Sequence, residues 1–174
     1  RMGADIRFGI ATEVDFSSAP HKVKIDDEKW ITADAVILAT GATAKWLGLP
    51  SEERLNGRGV SACAVCDGFF FKGKEVCIIG AGDTAAEEAL YLSKICSTVH
   101  MFVRRNEMRA SKIMQQRVLE TTNIKVYWNT EVEEILGEDK TEAVRIVNNQ
   151  TGEKKEIPVS AYFVAIGHKP NSDI

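Results

Sequence analysis

The chain has 174 residues, of which 44% are hydrophobic, so it is long enough to bury a core as one domain with a small additional piece. Its formal net charge of −3 argues against a general nucleic-acid binder, which normally carries an excess of positive charge. No run approaches the roughly 20 apolar residues that cross a bilayer, and no charged-then-apolar leader begins the sequence. These features predict a cytoplasmic globular protein that binds neither nucleic acid nor membrane.

The first third of the chain predicts β-structure. Strand-like runs cover residues 6–16, 22–25 and 29–32. Ala35–Ala39 is a continuous apolar run, which is typical of a strand buried on both faces. Loop-forming residues follow it, and we place a domain boundary near residues 43–47.

From Glu75 onward the pattern changes to strands that alternate with helices. The helix expected over residues 83–95 carries an apolar stripe at helical spacing. A strand–helix–strand–helix–strand order is typical of a parallel sheet with helices packed on it, so the sequence predicts an α/β fold. The expected strands are 76–79, 99–103, 124–128, 130–136, 143–148, 154–158 and 161–166, with helices over 83–95 and 110–120 and a hairpin turn at 149–152.

The segment Gly80–Ala85, which reads Gly-Ala-Gly-Asp-Thr-Ala, fits the dinucleotide-binding pattern of two glycines and a third small residue. It follows a predicted strand and opens a predicted helix, which is the context that the motif requires. Gly80 would permit the tight turn, Gly82 would let the backbone approach a pyrophosphate, and Ala85 would let the helix pack close to the sheet. The alternative is an ordinary strand–helix turn that happens to be rich in glycine.

The residues after the next strand indicate which dinucleotide is bound. An NAD site normally has a carboxylate about 20 residues beyond the glycines, to hold the ribose 2′-hydroxyl. Here Arg104 and Arg105 occupy that position, and Arg109 and Lys112 follow. Guanidinium groups bind phosphate well, so this pattern favours NADPH over NADH. The alternative is a solvated basic patch.

Cys63 and Cys66 are separated by two residues, and Asp67 follows them directly. A redox pair needs two thiols close enough to form a small ring and a nearby proton carrier, and Asp67 could serve as that carrier. Half of a zinc site and coincidence are the other interpretations, but a zinc site usually needs a second close pair of ligands. Cys77 and Cys96 are interpreted as small buried apolar residues.

Five segments together match motifs of one family. They are Ala62–Phe70, Ile78–Leu92, Arg104–Arg105 with Arg109, Phe163–Asn171 and Ala39–Ala42. Over nearly its whole length the chain resembles the low-molecular-weight thioredoxin reductases. The resemblance implies that electrons pass from NADPH to FAD, then to the Cys63–Cys66 disulfide and finally to thioredoxin or a thioredoxin-like protein. It also implies a homodimer when the protein is full length.

The resemblance assigns a role to each catalytic candidate. Cys66 would face the flavin, Cys63 would attack the thioredoxin disulfide, and Asp67 would be the acid/base. Glu87 would lie near the nicotinamide amide, and Ile166–Gly167 beside the nicotinamide ring. The implied NADPH-binding residues are Gly80, Gly82, Asp83, Thr84, Ala85, Glu87, Arg104, Arg105, Arg109, Ile166 and Gly167, the implied FAD-binding residues are Thr40 and Gly41, and no metal ligand is expected.

The implied architecture is the two-domain FAD/NAD(P)-binding fold. Residues 1–44 resemble a partial FAD-domain β layer, 45–172 a Rossmann-like NADPH-binding domain with a β-meander, and 173–174 the return to the FAD domain. The family's FAD-domain glycine loop and closing flavin segment are not in this sequence. We therefore expect that the chain is part of a longer protein, and that by itself it binds NADPH but has no activity. Two further departures are Ala81, where the family usually has glycine, and Val103, where it often has histidine.

Two alternatives remain open at this point. The chain is also similar to the reductase portion of an alkyl hydroperoxide reductase flavoprotein, which passes electrons to a different partner. It could instead be a non-catalytic NADP-binding sensor whose cysteines report redox state without turnover. Flavin absorbance of the full-length protein would distinguish the sensor from the reductases.

Overall fold

The structure is a computed structural model that describes residues 3–174. The chain divides into two compact units, one of residues 3–43 with Lys169–Ile174 and the other of Ala44–His168. No helix within residues 3–174 has the length and apolar character needed to cross a membrane.

The first unit is built on an antiparallel meander of three strands. These are β1 (Ala11–Asp15), β2 (His21–Ile25) and β3 (Lys29–Ala33), paired in chain order. A further strand, β4 (Ala42–Ala44), ends this part of the chain. The prediction of a strand beginning at residue 6 was wrong, because the strand ladder stops at Ala11. At Ile10 the N–H donates to the side-chain Oδ1 of Asp26 at 2.8 Å, and the carbonyl oxygen accepts from the Asp26 N–H at 2.9 Å.

The strand predicted over Ala35–Ala39 is also absent. These residues have no regular structure, and none of the described residues pairs with their backbone. Ile37 is 93% exposed. An apolar run forms a buried strand only when neighbouring strands supply hydrogen-bond partners and cover its side chains, and within residues 3–174 no strand does so here.

The rest of the chain contains the helices and strands α1 (Pro50–Arg54), β5 (Val60–Ser61), α2 (Ala64–Asp67), a 3₁₀-helix (Gly68–Phe71), β6 (Glu75–Ile79), α3 (Asp83–Ser93), β7 (Thr98–Val103), α4 (Lys112–Glu120), β8 (Ile124–Trp128), β9 (Thr130–Leu136), β10 (Ala143–Asn148), β11 (Lys154–Pro158), β12 (Ala161–Val164) and β13 (His168–Pro170). The second unit contains a five-stranded sheet in the order β5-β12-β6-β7-β8, in which every neighbouring pair is parallel. A separate meander in the order β11-β10-β9 is antiparallel. The predicted α/β fold is confirmed.

Both faces of the five-stranded sheet are buried, as the side-chain alternation of β6 illustrates. Val76 and Ile78 belong to the hydrophobic cluster that contains the buried residues of α3 and α4. Cys77 and Ile79 belong to a second cluster, with the buried residues of the β9–β11 meander. This two-sided burial explains why the sequence of β6 is a continuous apolar run.

In the second unit, strands β6 and β7 begin one residue earlier than predicted, and three other element ends differ from the prediction by two residues. Helix α3 ends at Ser93 and not at residue 95, because the Ile95 and Cys96 N–H groups both donate to Leu92 O in a closing turn. Helix α4 begins at Lys112 and not at residue 110, because Ser111 has a non-helical backbone with ψ 150° and forms the N-cap. Strand β12 ends at Val164, two residues before its predicted end.

Candidate functional site

A cleft of about 480 Å³ lies at the carboxyl ends of the parallel strands in the second unit. Gly80 directly follows β6, Arg104 follows β7, and Ile166 lies two residues beyond β12. All three residues line the cleft. Open parallel sheets bind ligands at this edge, so the position alone indicates a ligand site. The full lining is Leu47, Leu49, Ile79, Gly80, Ala81, Phe102, Arg104, Arg105, Glu107, Arg109, Thr130, Glu131, Val132 and Ile166.

The glycine loop between β6 and α3 contains two glycines with different structural roles. Gly80 has φ +147°, and a Cβ atom there would lie 2.3 Å from Ala165 O and 2.8 Å from Ala85 Cβ. Any larger residue would therefore clash with the backbone just after β12 and with the first turn of α3. At Gly82, which caps the N-terminus of α3, a Cβ atom would have no neighbour within 4 Å. Open space in front of unpaired helix N–H groups fits a pyrophosphate. Gly80 and Ala81 line the cleft, whereas Gly82 and Asp83 lie next to them and are not part of its lining.

The three predicted arginines lie on the same cleft and are exposed. Arg109 is tied to the glycine loop, because its N–H donates to Ala81 O at 2.7 Å. Asp83 is tied to the start of α4, since its Oδ1 accepts a hydrogen bond from the Ser111 N–H at 2.8 Å. The backbone around Arg109 is thus positioned by the glycine loop and α3. This arrangement fits a phosphate group close to the pyrophosphate position.

Two carboxylates, Glu107 and Glu131, also line the cleft. Glu131 Oε1 accepts a hydrogen bond from Asn149 Nδ2 at 2.9 Å, and that same amide nitrogen donates to Arg104 O at 2.8 Å. Asn149 thereby connects Glu131 to the backbone of the arginine segment. Three arginines against two carboxylates leave the cleft net positive by one charge.

The other predicted nucleotide residues lie elsewhere. Thr84 and Glu87 are exposed on α3 and do not line the cleft, and Ala85 is buried beneath Gly80. Gly167 has φ +104°, and its carbonyl oxygen accepts a hydrogen bond from the Lys45 N–H at 3.0 Å. Thr40 and Gly41 are exposed and lie in the first unit, where both carbonyl oxygens accept hydrogen bonds from Asn171.

Cys63 and Cys66 form a disulfide with a Cα–Cα distance of 5.3 Å. The Cys66 N–H donates to Cys63 Sγ at 3.2 Å, and the Asp67 N–H donates to Cys63 O at 3.1 Å. Helix α2, which contains Cys66, leads into a turn at Gly68 that packs tightly on α3. A Cβ atom at Gly68 would lie 2.8 Å from Leu92 Cδ2. The disulfide does not line the cleft.

The remaining cysteines have a different environment. Cys77 and Cys96 are free and buried. Burial raises the pKa of the Cys77 thiol far above its usual range, with a backbone hydrogen bond at Phe163 opposing the shift. Burial also raises the pKa of Cys96, to about 11. Neither thiol is therefore ionised at neutral pH.

The sequence interpretation missed one wall of the cleft. Leu47 and Leu49 line it, although the segment around them was predicted only as a loop. Their position depends on Glu52, a buried acid at the start of α1. The available signal was a glutamate placed shortly after a Leu-Gly-Leu-Pro loop, but residue type and periodicity do not indicate that such a glutamate is buried.

Comparisons with known proteins agree with this geometry. The family described as "Pyridine nucleotide-disulphide oxidoreductase" matches residues 1–174. The chain is 46% identical over 179 residues to a thioredoxin reductase of Escherichia coli O157:H7 and 43% identical over 178 residues to one of Vibrio cholerae. Each alignment covers 100% of this chain and 56% of the relative. A solved thioredoxin reductase from Giardia duodenalis superposes with a TM-score of 0.87 at 38% identity, over 98% of this chain and 56% of that chain. The chain thus spans about half the length of the curated relatives it matches.

Proposed function

The chain belongs to the pyridine nucleotide-disulphide oxidoreductase family, and on that premise we propose that it is the NADPH-binding, disulfide-bearing part of a thioredoxin-disulfide reductase. One observation carries the proposal: a single compact unit holds both the glycine–arginine cleft and the Cys63–Cys66 disulfide. The relatives described above are named thioredoxin reductases, and no feature of the described residues favours the peroxide-reductase or sensor alternatives.

In this proposal the second unit binds NADPH through the cleft. The N–H groups at the start of α3, beside Gly82, receive the pyrophosphate. Arg104, Arg105 and Arg109 receive the 2′-phosphate, while Ile166–Gly167 lies beside the nicotinamide. The exposed residues Asp83, Thr84 and Glu87 at the start of α3 are retained as cofactor contacts by resemblance alone.

When bound, NADPH would supply a hydride and FAD would relay its two electrons to the disulfide, so the net reaction would convert NADPH, a proton and a partner disulfide into NADP⁺ and a partner dithiol. Thr40 and Gly41 are proposed to contact the flavin, for which their exposure leaves room. Asp67 is proposed to carry the proton, since it directly follows Cys66 in α2.

Cys63 is proposed as the thiol that attacks the partner disulfide, and Cys66 as the thiol that faces the flavin. Cys66 is the more exposed of the two. However, its N–H points at Cys63 Sγ, and a backbone donor stabilises a thiolate on the sulfur that accepts it. This hydrogen bond supports Cys63 as the nucleophile once the disulfide has been reduced.

The surface around the disulfide supports a protein partner. Three apolar side chains close to it in the chain are exposed: Val65 (62%), Phe69 (65%) and Phe70 (79%). Exposed aromatic groups beside a reactive pair are typical of a protein docking surface. A thioredoxin-like protein is the proposed partner, and the family resemblance adds a homodimer in the cytoplasm.

The test is cofactor selectivity, measured by calorimetric titration of NADPH and NADH into the chain. Each charge-assisted contact to a phosphate contributes roughly 1.5–3 kcal/mol to the binding free energy. Replacing both Arg104 and Arg105 with alanine should therefore weaken NADPH binding by about 100-fold or more. NADH binding should change little. The matched control is Arg117→Ala, which removes an exposed arginine of α4 that does not line the cleft. Equal affinity of the unmodified chain for the two cofactors would contradict the proposal.

A further inference from the structure

Glu52 is a buried acid that has no role in the proposed reaction, and its carboxylate accepts four hydrogen bonds. The residue is only 3% exposed. Oε2 accepts hydrogen bonds from the Gly48 N–H at 2.8 Å and the Leu49 N–H at 3.1 Å. Oε1 accepts from the Leu47 N–H at 3.2 Å and from the Tyr162 hydroxyl at 2.8 Å. Such a carboxylate is stable in the interior only because donors surround it.

These contacts determine the conformation of the segment Leu47–Leu49. Three consecutive N–H groups converge on one carboxylate, so the loop is held by a side chain and not by a strand or helix. Gly48 has φ +84°, a conformation that glycine adopts without strain. Tyr162 in β12 is fully buried, and burial together with the Glu52 carboxylate raises the pKa of its phenol, so the hydroxyl stays protonated and donates.

The loop forms one wall of the nucleotide cleft. Leu47 and Leu49 line the cleft together with Ile166. The chain two residues before this loop is joined to the residue after Ile166, because the Lys45 N–H donates to Gly167 O at 3.0 Å. The proposed function assigns Ile166, which lines the cleft, and the adjacent Gly167 to the nicotinamide.

We propose that Glu52 is a positioning residue for the nicotinamide half of NADPH, which it positions through the loop Leu47–Leu49 without touching the nucleotide. The inference rests on the proposed function, since it takes the cleft to be an NADPH site. It gives a binding role to a residue that the glycine, arginine and cysteine motifs do not include. Tyr162 is the second member of the same arrangement.

The experiment compares two ligands on the whole chain by calorimetric titration. One is NADPH, and the other is 2′,5′-ADP, which carries the 2′-phosphate but lacks the nicotinamide half. Glu52→Gln keeps the side-chain size but replaces one acceptor oxygen with an NH₂ group, so at least one loop N–H loses its partner. We expect NADPH to bind about fivefold more weakly or worse, as is typical for the loss of a hydrogen bond to a charged group. Binding of 2′,5′-ADP should stay within about twofold, because the arginines are unchanged.

Two further variants complete the design. Tyr162→Phe removes a single donor and keeps the buried ring, so it provides the test if Glu52→Gln does not fold. We expect it to weaken NADPH binding selectively as well, but by a smaller factor. Glu53→Gln changes the neighbouring exposed glutamate and should alter neither affinity.

The outcomes separate this inference from the proposed function. The positioning role is wrong if Glu52→Gln and Tyr162→Phe bind NADPH as tightly as the unmodified chain does. It is also wrong if they lose affinity for NADPH and for 2′,5′-ADP equally. If the unmodified chain does not prefer NADPH to NADH, the proposed function itself fails. Selective loss of NADPH with 2′,5′-ADP retained supports the inference.

Discussion

At the scale of single residues, the four cysteines differ in what surrounds them. Cys63 and Cys66 form the disulfide at the surface, whereas Cys77 and Cys96 are free thiols in the interior. Thiolates react with alkylating reagents and thiols do so poorly, so reactivity follows both exposure and pKa.

We therefore predict a stepwise thiol count. At neutral pH the native oxidised chain should show no reactive thiol, mild dithiol treatment should expose two, and unfolding under reducing conditions should expose all four. Because burial raises the pKa of Cys96 to about 11, its native labelling rate should increase as the pH rises toward that value. Mass spectrometry of the alkylated chain identifies each site. Labelling of Cys77 or Cys96 before Cys63 and Cys66 at neutral pH would contradict this account.

The residues that could be predicted from the sequence are those whose chemistry is local. The two glycines, the arginines after the next strand and the closely spaced cysteines each form a recognisable pattern within a few positions. Glu52 could not be predicted, because one of its donors, Tyr162, lies 110 residues away in the chain. A buried carboxylate is defined by its partners, and those partners meet only after folding.

At the scale of elements, the two glycines of the loop between β6 and α3 have opposite surroundings. Gly80 is enclosed by Ala165 O and Ala85 Cβ, while Gly82 has open space on its Cβ side. The first glycine is therefore required because the loop passes close to the backbone after β12 and to the first turn of α3. The second is required only if a ligand occupies the space in front of the helix.

This contrast predicts a separation of stability from binding. Gly80→Ala should lower the free energy of unfolding by about 1–3 kcal/mol, because the methyl group clashes with backbone at a positive φ. Gly82→Ala should lower the free energy of unfolding by less than about 1 kcal/mol. It should nevertheless weaken NADPH binding, because its methyl group projects into the proposed phosphate space. Urea unfolding and calorimetric titration measure the two effects. A larger stability loss for Gly82→Ala than for Gly80→Ala would reverse this interpretation.

The elements also differ in how well the sequence predicts them. Strands β6 to β8 and helix α3 were predicted because buried apolar residues recur in them at the expected spacing. The apolar run Ala35–Ala39 has the same pattern as β6 and yet is not a strand. The pattern indicates that a segment suits burial, but only neighbouring elements can bury it. Helices α1 and α2 span five and four residues, too few for a periodic pattern.

At the scale of the whole molecule, the hydrophobic core lies in one of the two units. Both hydrophobic clusters, with the side chains packed against them, fall between residues 49 and 166. The lining of the cleft and the disulfide also belong to Ala44–His168. The second unit therefore contains both hydrophobic clusters, the cleft lining and the disulfide.

We predict that the excised unit Ala44–His168 folds alone and binds NADPH within about twofold of the whole chain, since domains with their own core retain local sites. Circular dichroism during urea unfolding should show one cooperative transition, and calorimetric titration should give the affinity. The same segment with Arg104→Ala and Arg105→Ala is the negative control. A noncooperative transition, or a tenfold loss of affinity, would show that the first unit contributes to the fold or to the site.

The position of β12 in the sheet has a consequence for the order in which the protein is made. Strand β12 lies between β5 and β6, although more than 80 residues separate it from β6 in the chain. A ribosome that has released residues only up to 160 has exposed Cys63, Cys66, the glycine loop and all three arginines, but not the strand that joins β5 to β6. Ala165, whose carbonyl oxygen packs against Gly80, emerges later still. The nucleotide cleft is thus among the last features of the unit to form during synthesis, and until then β5, which lies just before the two cysteines, is not yet part of the five-stranded sheet.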